Sequence, residues 1–128
     1  MTILDTNALI RFFTNDFPEK AIKVKKLIEE EKAIVAPDVV LAETEYVLTG
    51  KVYKLKREDV KKAFSFLGSC RSIKLSKEAR EAIRIYNETS LDIADCLLVA
   101  HAKIRNCKLA GFDKKLLDTT GVGGYWKI

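Results

Sequence analysis

Two hydrophobic periods alternate along this chain. Short apolar runs read as strands over Thr2–Leu4, Ala33–Ala36, Arg71–Leu75, Lys108–Gly111 and, last, Gly124–Ile128. Between them apolar residues recur every three or four positions, the spacing of one helix face. That spacing predicts helices over Thr6–Thr14, Pro18–Lys32, Pro37–Tyr53, Arg57–Ser69, a stretch capped by Ser76 and running to Asn87, Asp92–Arg105, and a short Lys114–Asp118. In Pro18–Lys32, Ala21, Val24, Leu27 and Ile28 fall on one face and lysines on the other. Pro18 and Pro37 are both expected at a first helical position, where a missing N–H costs nothing. Strand alternating with helix predicts an α/β domain with a small parallel sheet. No repeat, low-complexity tract or linker interrupts the pattern, so residues 1–128 are expected to form a single domain.

Composition narrows the classes. A chain of 128 residues can bury a core without disulfides or a structural metal. No apolar run approaches the ~20 residues of a membrane span. Met1 leads directly into the first strand, with no basic segment ahead of an apolar one. Neither membrane association nor a signal peptide is expected, and the expected location is cytoplasmic. Cys70, Cys96 and Cys107 are odd in number, lack metal-ligand spacing and sit beside apolar residues, so they are expected to be reduced core residues. His101 is the sole histidine. Any metal should therefore be a hard cation held by oxygen. The net charge of +5 favours an acidic partner, of which nucleic acid is the commonest.

The acids carry the chemistry. In parallel α/β sheets, ligands bind outside the carboxyl ends of the strands. Asp5 follows the first strand, Glu43 lies two turns into the helix after the second, Asp92 and Asp95 open the sixth helix, and Asp113 follows the fourth strand. Four segments thus send carboxylates toward one edge of the expected sheet. Such a group repels itself unless a divalent cation sits among it. Each acid also has a plainer reading. Asp5, Asp92 and Asp113 are all placed to cap a helix. Glu45 competes with Glu43 for the inward position, and periodicity does not choose between them. Asp95 lies in ADCLLVAHA, which is apolar nearly all round and reads as a buried helix.

Four stretches together resemble a PIN domain, and most closely a toxin nuclease of the VapC type. They are ILDTNALIRFF with Asp5, APDVVLAETEYVL with Glu43 rather than Glu45, LDIADCLLVAHA with Asp95 and its companion Asp92, and KLAGFDKKLLD with Asp113. Their order and spacing match along the whole chain. One position departs: Gly111 stands where the family often has Ser or Thr, two residues before the fourth acid. The resemblance implies a three-layer α/β/α sandwich with a small central parallel sheet. It also implies a Mg²⁺- or Mn²⁺-dependent endoribonuclease, a homodimer, and a small antitoxin protein that blocks the site.

On this reading Asp5, Glu43, Asp95 and Asp113 are the catalytic acids. Asp5, Asp95 and Asp113 are metal ligands, with Glu43 and Asp92 as further candidates. Thr6, Asn7, Arg11, Lys114 and Lys115 are candidates for contacting RNA. The run Lys51, Lys54, Lys56, Arg57, Lys61, Lys62 reads as a solvated face, with RNA or antitoxin contact as the alternative. The end GVGGYWKI reads as core packing or as a partner contact. Competing functions are a housekeeping RNA-processing nuclease of the same family and a non-catalytic RNA-binding module. Phosphoryl transfer through an aspartyl-phosphate is disfavoured by Asn7, since such sites usually carry a second Asp there.

Overall fold

Ile34 and Ile73 lie side by side on adjacent strands, both wholly buried, and anchor a small parallel sheet. A computed structural model describes residues 1–126. Its three strands are β1 (Thr2–Ile3), β2 (Ile34–Val35) and β3 (Ile73–Lys74), in that order and all parallel. The regular spans are short, but hydrogen bonds extend them: Leu4 N–H donates to Val35 O at 2.9 Å and Ile34 N–H to Ser72 O at 2.7 Å. The chain forms two compact units, Met1–Ser76 and the remainder from Lys77 onward. All three strands belong to the first.

In the first unit, α1 (Thr6–Thr14) packs on α2 (Pro18–Glu30) and α3 (Asp38–Leu48). Helix α1 starts because the Asp5 carboxylate accepts from Ala8 N–H, and it stops at Asn15 in the left-handed conformation. Helix α2 opens with Pro18 at its first turn and buries Ala21 and Ile28, the face that the periodicity marked. It ends two residues earlier than expected. Pro37 is the N-cap of α3, outside the helix, with ψ 154°.

Helix α3 is shorter than the expected Pro37–Tyr53, because Gly50 turns the chain. A Cβ there would lie 3.1 Å from Tyr46 O and 3.3 Å from Val47 O, so glycine lets the backbone fold back closely without crowding. Leu55 N–H then closes the loop onto Leu48 O. Helix α4 (Arg57–Ser69) matches its expected span and buries Val60, Ala63, Phe64 and Leu67. Phe66 of α4 meets Phe12 of α1 at 5.4 Å between ring centroids. Lys51, Lys54, Lys56 and Lys62 stay exposed.

In the second unit, α5 (Lys77–Glu88) and α6 (Ile93–Arg105) form a packed pair, followed by α7 (Lys114–Thr120). Tyr86 is buried on α5, and Ile93, Cys96, Val99 and Ala100 on α6. Helix α6 is less enclosed than its composition suggested, since Leu98 is half exposed.

The two expected strands Lys108–Gly111 and Gly124–Ile128 shrink to one parallel bridge, Leu109 with Gly124. Glycines at 111, 121, 123 and 124 leave little side-chain packing to propagate a ladder; residues 127–128 lie outside the described part. Tyr125 and Trp126 are exposed, contrary to a core-packing role. Of the cysteines, Cys96 is buried and Cys70 half-buried, whereas Cys107 is exposed beyond the end of α6 and is no core residue. Among the described residues no helix is long and apolar enough to cross a membrane.

Candidate active site

In the first unit the chain leaves β1 at Leu4, which is buried, and immediately presents Asp5 to solvent. Asp5 caps α1 through Oδ1, 2.8 Å from Ala8 N. The next residue, Thr6, donates its hydroxyl to Glu43 Oε1 at 3.0 Å. A parallel β1–β2 pair puts the starts of α1 and α3 at the same strand ends, which is why residues 37 apart meet. Glu43 is thereby joined to the Asp5–Thr6 segment.

Beside Asp5 lies a recess of about 340 Å³, lined also by Asn7, Arg11, Lys20 and Lys23. Arg11 is engaged within the fold. Its Nη1 lies 2.6 Å from Asp16 Oδ2 and 3.1 Å from Tyr53 Oη, and its guanidinium covers the Phe17 ring at 4.4 Å. The Tyr53 hydroxyl also donates to Asp16 at 2.6 Å. That bond foremost, with help from Thr14 and Arg11 and against some desolvation, holds the Asp16 carboxyl below its ordinary value.

Lys20 and Lys23 are exposed, one turn apart on α2. Lys20 lies 5.0 Å from the Phe17 ring, and Lys23 forms no ion pair among the described residues. Sequence reasoning passed over both as ordinary outward lysines. Their i, i+3 spacing near the helix start was the available signal.

In the second unit Asp92 caps α6, its Oδ1 accepting from Asp95 N–H at 2.8 Å. Asp113 caps α7, accepting from Leu116 N–H at 3.1 Å. The capping reading is therefore correct for Asp5, Asp92 and Asp113. It does not exhaust them, because each carboxylate has a second oxygen. Asp95, half-buried on the first turn of α6, and Asp113 line one recess of about 140 Å³ with Gly111 and Phe112. A Cβ on Gly111 would meet nothing within 4 Å, so the missing hydroxyl is a matter of sequence and not of space. Lys114 and Lys115 are exposed just beyond Asp113.

The structure thus gathers Asp5, Thr6 and Glu43 in one unit, and Asp95 with Asp113 in the other. Within neither unit do three or more His, Cys, Asp or Glu side chains of the described residues form a metal-ligating group. Neither recess has His or Cys in its walls: one offers the Asp95 and Asp113 carboxylates, the other the Asp5 carboxylate and the Asn7 amide beside the cationic Arg11, Lys20 and Lys23. Those oxygen donors suit a hard divalent cation better than a thiolate or imidazole zinc site.

A sequence model of the PIN domain family matches residues 2–122. No curated protein matches the chain. The match covers nearly the whole length and all five candidate acids, Asp5, Glu43, Asp92, Asp95 and Asp113. The chain belongs to the PIN domain family, whose members are in general nucleases.

Proposed function

We propose that this protein is a metal-dependent endoribonuclease, the toxin of a toxin–antitoxin pair, and that Asp5, Glu43, Asp95 and Asp113 are its catalytic acids. The observation that carries the reading is the placement of Asp5 and the Thr6–Glu43 bond at the strand ends of a PIN domain. Asp5, Asp95 and Asp113 would hold Mg²⁺ or Mn²⁺, with Glu43 and Asp92 as further ligands, directly or through water. When bound, the cation supplies Lewis acidity toward the attacking water and the phosphodiester.

The remaining work falls to the chain's own groups. Thr6 fixes the Glu43 rotamer. Asp92 pins the first turn of α6 and so the position of Asp95. Lys20 and Lys23 offset phosphate charge beside Asp5, Asn7 offers an uncharged amide to hydrogen-bond the RNA, and Arg11 lines the same recess. Lys114 and Lys115 do the same beside Asp113. The substrate is RNA presented as an exposed single-stranded segment. The homodimer and the antitoxin rest on the VapC-type likeness. The exposed apolar residues Val39, Tyr46 and Val52 are surface that such partners would cover.

The test is RNA cleavage with Mg²⁺ or Mn²⁺, with EDTA, and by the Asp5→Asn and Asp95→Asn variants. Loss of an outer metal partner typically costs 10–100-fold, so loss of a direct ligand should exceed about 100-fold. Asn keeps the cap at Asp5 and is nearly isosteric with Asp on the first turn of α6 at Asp95, so both variants should fold. Cleavage by either variant at the parent rate would overturn the assignment and would mark the activity as a contaminant.

A further inference from the structure

We infer that Phe112 and Trp126 form a stacking platform beside Asp113 for an unpaired nucleobase flanking the phosphodiester to be cut. This inference rests on the nuclease reading above and adds what the site holds besides phosphate. The two rings lie parallel, 4.8 Å between centroids and 7° between planes, and Tyr125 meets Trp126 edge-on at 5.2 Å. Folded chains ordinarily put such rings inside, because burying one gains free energy from its large apolar area. Here Phe112 is 76% exposed, Tyr125 65% and Trp126 46%. An apolar cluster left in water marks a contact surface.

The stack is held in place from both sides. The Leu109–Gly124 bridge is closed by Leu109 N–H to Gly123 O at 2.9 Å and by Tyr125 N–H to Leu109 O at 2.7 Å. Gly124 lies so close to Leu117 that a Cβ would come within 3.0 Å of Leu117 Cδ1. These contacts bring two segments together with their aromatics side by side. Phe112 also lines the recess that contains Asp95 and Asp113, so the platform is continuous with the acids.

The surrounding charge selects the occupant. Lys114 and Lys115 follow directly, both exposed and without an ion pair among the described residues. Flat π faces next to free cations suit a polyanion that carries open base faces, which is single-stranded RNA. A duplex hides its base faces and offers nothing to stack. The platform therefore gives the nuclease a preference for unpaired segments that carboxylates alone cannot supply.

Trp126 is the only tryptophan in the chain, so its fluorescence reports on the platform directly. The full-length protein would be titrated in EDTA with a ten-nucleotide oligouridylate, with an abasic oligomer of equal length, and with a duplex of the same size. The oligouridylate should quench Trp126, while the abasic oligomer and the duplex should bind with little quenching. Measured by a label on the RNA, Phe112→Ala and Trp126→Ala should each weaken oligouridylate binding roughly ten-fold, within the range for loss of one base–aromatic stack. Trp126→Phe should bind like the parent. Equal quenching by the abasic oligomer, or unchanged affinity in both alanine variants, would overturn the platform.

So would sedimentation showing a dimer that the alanine variants dissociate while RNA affinity stays constant, because the patch would then serve a second copy of the chain. Because no metal is present, the titration is independent of cleavage. Cleavage without base-dependent quenching sinks the platform alone, and base-dependent quenching without metal-dependent cleavage sinks the nuclease reading alone.

Discussion

The Thr6 hydroxyl donates to Glu43 Oε1 at 3.0 Å, tying the first residue of α1 to the second turn of α3. Glu43 is exposed, so without this bond its side chain would sample several rotamers. Thr6→Val keeps the shape and removes the donor. Cleavage should fall 10- to 100-fold, the usual loss for an outer-shell partner, carried mainly by kcat. Thr6→Ser should restore most of it. Steady-state kinetics at saturating Mn²⁺ decide the matter, and a Val variant as active as the parent would remove Thr6 from the machinery.

Lys20 and Lys23 line the recess beside Asp5 as its exposed cations. If they meet RNA phosphates, replacing them changes salt dependence more than chemistry. On single strands each phosphate contact contributes a slope of about −0.7 in log affinity against log salt. The Lys20→Ala/Lys23→Ala double variant should therefore flatten that slope by roughly 1.4 and leave kcat near the parent value. An unchanged slope would return both lysines to general solubility.

Asp16 predicts an acid-limb effect. The hydrogen bond from Tyr53, foremost, lowers its folded-state pKa below the ordinary 3.8. The unfolded chain therefore binds the proton more readily than the folded one. Asp16 contributes stability that is present above the unfolded pKa and is lost as pH falls through the folded pKa. Asp16→Asn should flatten the fall in urea midpoint below about pH 4 while changing its pH dependence near neutrality little. A parallel fall in both proteins would show that the Arg11–Asp16–Tyr53 network does not couple to folding.

Gly111 shares its recess with Asp95 and Asp113 and has open space where a Cβ would go. Gly111→Ser should fold like the parent. The new hydroxyl should lower the Mn²⁺ concentration that gives half-maximal cleavage. Calorimetric titration with Mn²⁺ checks the same point without RNA. A weaker Mn²⁺ response would show that a hydroxyl at this position does not serve the metal in this chain.

The fold was readable wherever one period dominated. Thr6–Thr14 and Arg57–Ser69 have the observed limits, because their apolar faces are regular and their starts are marked by Asp5 and by the Lys56–Asp59 pairing. Reading failed where one close approach outweighed local propensity. Helix α3 ended early at a turn where a Cβ on Gly50 would crowd Tyr46 O and Val47 O, a close approach that no pattern displays. Among the described residues the last two expected strands reduce to one point, where Leu109 and Gly124 pair among glycines. The acids were legible one by one, and Glu43 was preferred to Glu45 only through the family likeness. The engagement of Arg11 with Asp16 and Tyr53 was invisible, since it joins α1 to the loop after α3. The exposure of the Phe112–Trp126 stack was hidden for the same reason: sequence shows which rings are present, not which ones find each other.

Asp5, Asp92 and Asp113 each give one oxygen to the backbone of a helix start. Under the proposed function each carboxylate answers to two independent selections, one for the metal site and one for the helix it begins. Loss to alanine would cost about 0.5–2 kcal/mol of folding even in a chain with no catalytic duty. Asparagine keeps the cap and removes the charge, so drift toward inactivity has a route open to Asn and a narrower one to Ala. Silenced relatives of this chain should accordingly carry Asn at these three positions more often than any apolar residue.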